Sequence, residues 1–150
     1  MSTASISNQL EILNVRITFR NAPVHILERF TFKNISKACE SFKQQAALEE
    51  CVILQTCNRV EVFGAGATID EQKLLESWAS QVGMAIEEFA MAAEISTGKD
   101  VISHLLRLAA GLDSLVIGED QILGQMKRAF DFSRMNHYAG SDLSMVFDKA

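Results

Sequence analysis

Cys57 is the side chain in this sequence best suited to nucleophilic chemistry. It stands in a polar stretch with Thr56, Asn58 and Arg59, between two apolar runs. A thiolate reacts where its surroundings are polar, electropositive and partly open to solvent. Arg59 would favour the thiolate, but a turn cysteine without a chemical role leaves the same pattern, and Arg59 could equally be a surface charge. The local sequence leaves these interpretations open.

His104 is the candidate proton carrier beside such a nucleophile. It lies in a helix predicted from Lys99 to Ala110. The main apolar stripe of that helix is read as Ile102, Leu105, Leu106 and Ala109. At about 100° per residue, the imidazole points nearly opposite this stripe. Packing on a second face, exposure to solvent and proton transfer all remain open for His104, and neither His25 nor His137 is assigned a role.

Hydrogen-bonding side chains also gather around the start of the last predicted helix. They are Ser114, Glu119, Gln121 and Gln125. The two glutamines are four residues apart and therefore share one helix face. A ligand with an amine and a carboxylate would suit this mixture, with Glu119 for the cation, and the amides and Arg59 for the anion. A solvated helix start would show the same residues.

The spacing of apolar residues predicts the elements that hold these groups. A strand covers 11–18, Pro23 starts a helix, and a longer helix runs from Asn34 or Ser36 to Leu48 with Cys39 in its core stripe. The runs at 51–54 and 60–63 predict a hairpin, which the glycine-containing segment 64–66 closes. Next come a helix over 70–82, a weak strand at 91–96, the helix over 99–110, and a short strand or turn at 115–117.

The last predicted helix runs from about Asp120 to Tyr138. Its buried face is predicted to be Ile122, Met126, Ala129, Phe130, Ser133 and His137. The whole order predicts an α+β fold of the ferredoxin-like βαββαβ type. We expect a mostly antiparallel sheet with helices packed on one side and a C-terminal helical extension.

Composition fits a single globular domain of 150 residues and excludes several other classes. No apolar run is long enough to cross a membrane and no secretory signal is visible, so we expect a cytoplasmic protein. The net charge of −5 opposes phosphate backbones except through a local cluster. Three cysteines without zinc-site spacing predict reduced thiols and no metal, and the glycine spacing forms no nucleotide-binding motif.

Three blocks of the sequence resemble the N-terminal catalytic domain of glutamyl-tRNA reductase. They are Asn21-Ala22-Pro23-Val24 with Glu28, the stretch from Gln55 to Glu61, and the long stretch from His104 to Gln125. The resemblance runs from about Ile12 to Ala150. Two positions of the first block depart from the usual family pattern, which has histidine where Phe19 stands and arginine where Leu27 stands. A third departure is Asp120, which replaces a proline.

The resemblance implies a mechanism and a set of site residues. Cys57 would attack the ester that joins glutamate to tRNA, release the tRNA and leave a thioester, which NADPH reduces to glutamate-1-semialdehyde for tetrapyrrole synthesis. His104 would support this chemistry. The implied substrate-binding residues are Thr56, Asn58, Arg59, Ser114, Glu119, Asp120, Gln121 and Gln125. By charge, we expect Arg59 to bind the glutamyl side-chain carboxylate and acids near Glu119 to face the α-amine.

Family members continue into a spine helix, an NADPH-binding domain and a dimerisation domain, none of which follows within residues 1–150. We therefore expect a catalytic domain that forms the thioester but performs no reduction alone. The implied partners are glutamyl-tRNA, a second copy in a homodimer, and glutamate-1-semialdehyde aminotransferase. The rival interpretations are a non-catalytic ferredoxin-like interaction module and a stand-alone cysteine esterase.

Overall fold

The computed structural model describes residues 11–111, 121–140 and 143. The elements in chain order are β1 Glu11–Thr18, α1 Val24–Leu27 with a 3₁₀ turn Glu28–Phe30, α2 Ile35–Ala46, β2 Glu50–Gln55, β3 Arg59–Gly66, α3 Glu71–Gln81, α4 Ile86–Ala92, β4 Glu94–Thr97, α5 Lys99–Ala109 and α6 Gln121–Met135. Within these ranges, no helix has the length and apolar character needed to span a membrane.

The four strands form one antiparallel sheet in the order β2-β3-β1-β4. The two central strands pair along their full length, from Glu11 opposite Gly66 to Thr18 opposite Arg59. β2 and β3 form a hairpin, and β4 returns to pair with the other side of β1. The predicted α+β fold with a βαββαβ order and an antiparallel sheet is confirmed.

One face of the sheet carries the larger core. Alternate residues of a strand point to opposite faces, and Leu13, Val15 and Ile17 of β1 point to this one. Helices α1 to α4 cover it, with the predicted core residue Cys39 fully buried. Trp78 lies at its centre and donates its Nε1–H to the carbonyl oxygen of Phe30 at 2.9 Å. The polar edge of the largest side chain in the core is therefore satisfied.

The opposite face is also covered, which corrects the expectation of helices on one side only. Its core consists of Val52, Leu54, Phe63, Ala65, Val101, Leu105, Leu108, Ile122, Met126, Phe130 and Leu143. β2 and β3 carry apolar residues on both faces, with Val52, Leu54, Phe63 and Ala65 on the second, so each face must be removed from water. The crossover helices α1 to α4 cover one face, and the C-terminal extension, α5 and α6, covers the other. The polar residues Asn14, Arg59 and Glu61 on this second face are consequently buried as well.

Several element boundaries differ from the sequence-based expectation. β3 continues through Gly66, because Gly64 leaves room for Leu48: a Cβ there would lie 2.6 Å from Leu48 Cδ2. The unpredicted helix α4 takes the start of the expected strand 91–96 and leaves Glu94–Thr97 as β4. His137 was wrongly assigned to a buried face, since it is exposed beyond the end of α6 with φ 63°. The segment 115–117 lies outside the described residues.

Helix α2 shows how local sequence sets the ends of an element. Asn34 caps its start, because its Oδ1 accepts the backbone N–H of Lys37 at 3.0 Å. At the other end, Ala47 adopts the left-handed conformation, with φ 61° and ψ 32°. Glycine is the usual residue there, because a Cβ is strained in that region. Helix α2 is thus well capped at its start, whereas the exposed residue that follows its end, Ala47, has a strained backbone.

Replacing Ala47 by glycine should raise the free energy of unfolding by about 0.5–1 kcal/mol, because the left-handed backbone no longer carries a Cβ. Chemical denaturation of the variant and the parent measures the difference. Ala46→Gly is the matched control: this neighbour is buried in the last turn of α2, so its replacement should destabilise the protein. Equal destabilisation by both changes would contradict the account of the helix end.

Candidate active site

Cys57 lies in the turn between β2 and β3. Thr56 N–H donates to the carbonyl oxygen of Arg59 at 2.9 Å, and Asn58 N–H donates to Thr56 Oγ1 at 3.1 Å. The N–H of Phe19 reaches the Asn58 carbonyl oxygen at 3.0 Å and ties the turn to the end of β1. All three cysteines are in the described part of the chain, and Cys57 is the exposed one. The turn therefore presents a single accessible thiol on a backbone held from two sides.

Arg59 is buried, so its interpretation as a surface charge is wrong. Only 2% of its side chain is exposed, and its Nη1 lies 2.7 Å from Glu61 Oε2. The strand alternation points both side chains to the second face of the sheet. The ring centre of Phe19 lies 5.9 Å from the guanidinium carbon. The aromatic residue that stands where the family usually has histidine thus packs against this arginine.

His104 is buried too, which excludes the solvent-facing interpretation. Its Nε2 lies 2.6 Å from Glu61 Oε1, and its ring stacks on Phe63 at 6.4 Å between ring centres. The stripe read from the sequence is wrong at Leu106, which is 46% exposed, whereas Leu105 is buried and Ile102 and Ala109 pack against the core. The buried residues of α5 are Val101, His104, Leu105 and Leu108. Their spacing is the ordinary i, i+3, i+4, i+7 pattern of a helix face, with the histidine inside it.

Glu61 joins these side chains and is the functional residue that sequence reasoning missed. Its side chain has no exposed surface. Besides its contacts with Arg59 and His104, it accepts a hydrogen bond from Asn14 Nδ2 at 3.1 Å. The sequence signal that could have identified Glu61 is a charged residue within the apolar run of β3. In the sheet this residue lies opposite Arg16 on β1. A carboxylate within an apolar strand is buried only when hydrogen-bond donors surround it.

The hydrogen-bond network continues across the sheet from Asn14. Arg16 Nη1 donates to Asn14 Oδ1 at 2.7 Å and to Ser96 Oγ at 2.9 Å. Its Nη2 lies 3.3 Å from Glu94 Oε2. The polar chain therefore runs from β4 through β1 and β3 to α5, and links the sheet edge to the imidazole.

The charge state of Glu61 follows from its partners. Burial by itself would raise the pKa of this carboxyl group. The hydrogen bond and positive charge of His104, together with Arg59, outweigh burial and hold the pKa below its ordinary value of 4.5. Glu61 is therefore a carboxylate at neutral pH, and it accepts hydrogen bonds without donating any.

The implied substrate-binding residues divide into three groups. Thr56 and Asn58 lie in the Cys57 turn and Arg59 follows it, so these three are adjacent to the thiol. Gln125 lies on α6 and lines an open cleft of about 380 Å³ with Gln55. Ser114, Glu119 and Asp120 lie outside the described residues, and Gln121 is the first residue of α6.

The cleft at the end of β2 has both polar and apolar walls. Its lining is Ile35, Ile53, Leu54, Gln55, Gln125, Arg128, Ala129 and Phe132. Gln55 holds the wall in place, because its amide accepts from Phe32 N–H at 2.8 Å and donates to the Phe32 carbonyl oxygen at 3.2 Å. Across the residues that the structure describes, no three His, Cys, Asp or Glu side chains come together as a metal site.

Two residues of the first family-like block have structural roles. Leu27, where the family usually has arginine, is buried in the larger core. Asn21 accepts the hydroxyl of Thr18 on its Oδ1 at 3.1 Å and so closes the turn after β1. That turn brings Phe19 over Arg59, as described above. The block therefore supports the arginine by packing.

Glu61→Gln should lower the free energy of unfolding by about 3 kcal/mol at neutral pH, because it removes the negative charge that lies 2.7 Å from the buried Arg59. The pKa of Glu61 is lower in the folded state, so the carboxylate's contribution is complete above pH 4.5 and is lost as the pH falls through the folded-state value. Denaturant titrations across this range should show the parent and variant converging on acidification.

The matched control is Glu76→Gln on α3, an exposed carboxyl group whose loss should change stability little at any pH. A difference between parent and Glu61→Gln that stays constant from neutral pH to below 4 would contradict an ionised Glu61.

Comparison with known proteins is consistent with this geometry. The family model described as "Glutamyl-tRNAGlu reductase, N-terminal domain" matches residues 15–150. Glutamyl-tRNA reductase of Cenarchaeum symbiosum is 49% identical over 139 residues, which cover 93% of this chain and 33% of that protein. The enzyme of Pseudoalteromonas translucida is 37% identical over 142 residues, covering 93% of this chain and 34% of that protein.

A solved structure gives the same result. Glutamyl-tRNA reductase from Methanopyrus kandleri superimposes with a TM-score of 0.72 at 31% identity, covering 91% of this chain and 31% of that one. The chain thus spans about a third of the length of the relatives it matches. It belongs to the glutamyl-tRNA reductase family and contains that family's N-terminal domain.

Proposed function

We propose that this domain takes the glutamyl group from glutamyl-tRNA onto Cys57 as a thioester. The observation that carries the proposal is the single exposed thiol on the β2–β3 turn, next to the strand that bears Arg59 and Glu61. In the step itself, the sulfur attacks the ester carbonyl carbon and a C–S bond forms. The bond from that carbon to the ribose oxygen breaks, and the thiol proton ends on the departing oxygen. Covalent capture divides a difficult reduction into two easier steps.

The residues around the thiol have matching roles in this proposal. His104 carries the proton, and Arg59 binds the carboxylate of the glutamyl side chain. A guanidinium carries five N–H donors in a fixed planar arrangement that suits carboxylates, and Nη1 of Arg59 already lies on the carboxylate of Glu61. Thr56 and Asn58 contact the ester from the turn. Acids near Glu119 face the α-amine, with Ser114, Asp120 and Gln121 also assigned to the glutamyl group.

The cleft between Gln55 and Gln125 is our proposed position for the end of the tRNA. The ester links glutamate directly to the terminal ribose, so that nucleotide must lie beside Cys57. Gln55, two residues before the thiol in the sequence, lines the cleft, and Arg128 adds a positive charge to its wall. An acidic chain needs such a local cation to approach a phosphate backbone.

NADPH supplies the hydride in the family reaction, and the described residues do not fit this cofactor. The turn from β4 into α5 has one glycine, Gly98, where a dinucleotide site has a glycine-rich loop. Asp100 in the first turn of α5 also opposes a pyrophosphate. We therefore assign the cofactor to a part of the enzyme outside the described residues, and the steps at this site end with the thioester. Homodimerisation, transfer of the product to an aminotransferase and a cytoplasmic location rest on the family resemblance.

Mixing the domain with glutamyl-tRNA that carries a labelled glutamate should place label on the protein in an alkali-sensitive linkage. Cys57→Ala should abolish the labelling, because the attacking sulfur is gone. Cys51→Ala is the matched control: this thiol is buried in β2, and its loss should leave labelling intact. Label that survives Cys57→Ala would refute the thioester. No labelling of a folded parent would favour a non-catalytic interaction module, and turnover of small glutamate esters without tRNA would favour a simple esterase.

A further inference from the structure

We propose that Glu61, held in place by Asn14, is a positioning residue that fixes His104 in the tautomer with its proton on Nε2. Nδ1 is then the nitrogen that exchanges protons with the reacting groups. The role of Nδ1 rests on the proposed function, since proton exchange serves the attack by Cys57. The tautomer of His104 concerns the folded protein alone.

The tautomer follows from the chemistry of the contact. Glu61 is an ionised carboxylate and offers only lone pairs, so a 2.6 Å contact with His104 Nε2 requires the hydrogen to be on that nitrogen. A neutral imidazole with Nε2–H has its lone pair on Nδ1. The stacked ring of Phe63 restricts rotation of the imidazole, and a half-turn of the ring would replace Nε2 by a carbon. The proton-accepting atom of His104 is therefore defined by Glu61.

Asn14 defines the position of Glu61 in turn. An asparagine amide can be turned either way, but Arg16 donates to Oδ1 at 2.7 Å and so fixes the oxygen on its own side. Nδ2 then faces Glu61 Oε1 at 3.1 Å and the Val62 carbonyl oxygen at 3.3 Å. Glu61 Oε2 belongs to Arg59 at 2.7 Å. Both carboxylate oxygens are therefore held by donors from the sheet, and the face of Oε1 toward α5 remains for the imidazole.

Replacing Glu61 by glutamine should change the tautomer of His104. The single oxygen of the new amide should stay on Arg59, because a cation repels an N–H donor more strongly than the neutral amide of Asn14 does on the other side. The amide nitrogen then faces His104, and the imidazole must accept on Nε2 and carry its proton on Nδ1. Glutamine has nearly the same shape and size as glutamate, and this substitution therefore reverses the tautomer of His104.

The test is two-bond ¹H–¹⁵N correlation NMR of the imidazole. The exposed His25 and His137 are first changed to glutamine and asparagine, so that His104 is the only histidine. At a pH high enough for the imidazole to be neutral, we expect the Nε2–H pattern in this parent and the Nδ1–H pattern in Glu61→Gln. Thioester formation should fall at least about 100-fold in the variant, the range that a well-placed proton carrier contributes. A parent with Nδ1–H, or a variant with an unchanged pattern, would overturn the inference.

Asn14→Ala keeps the proposal testable if Glu61→Gln does not fold. It leaves the carboxylate in place with one fewer donor, so the tautomer should persist while the Nε2 proton exchanges with water about tenfold faster. Asn136→Ala, an exposed amide that donates only to its own helix, is the control and should change nothing. Unaltered exchange in Asn14→Ala would refute the role of Asn14. An Nε2–H parent that forms no thioester would instead refute the proposed function and leave the positioning by Glu61 intact.

Discussion

The candidate site depends on one interaction, the burial of the Glu61 carboxylate among Arg59, His104 and Asn14. A charge with no exposed surface is stable only when donors replace the water that it has lost. Each partner comes from a different part of the fold: Arg59 from the same strand, Asn14 from the neighbouring strand and His104 from a helix. The site can therefore form only when the sheet and α5 are assembled, which couples its geometry to the tertiary structure.

That coupling explains why the second face of the sheet must be covered. In an open sheet with helices on one side, Glu61 would face water without α5 and its His104, and its bond to Arg59 would be weak and mobile. Helices α5 and α6 exclude water from this face, so the hydrogen bonds there are directional and the side chains are held. Cys57 stays outside this dry layer on an exposed turn. A reactive group open to a large substrate is thus placed next to a rigid polar network.

Much of the fold follows from patterns within single segments. The strand at 11–18, the helix start at Asn34 and the β2–β3 hairpin are all visible as alternation, a capping residue and turn chemistry. What the sequence did not reveal depends on the partners of a segment. The buried stripe of α5 was misassigned because two apolar faces compete on that helix, and only contact with Phe63 and Glu61 decides between them. Arg59 likewise resembled a surface charge until Glu61, two residues along the same strand face, supplied its counter-charge. The local setting of Cys57 made it a candidate, and the family resemblance favoured it over a plain turn residue, whereas the carboxylate of Glu61 could be identified as a site residue only in three dimensions.

The most direct measurement is a ¹³C NMR titration of the Glu61 carboxyl group in protein labelled at glutamate, with the signal assigned by its loss in Glu61→Gln. The account predicts a single midpoint below 4.5, with the ring signals of His104 and the guanidinium signals of Arg59 changing at the same pH. A Glu61 carboxyl group that titrates above 4.5, or one whose titration leaves both partners unaffected, would contradict the central role of this carboxylate.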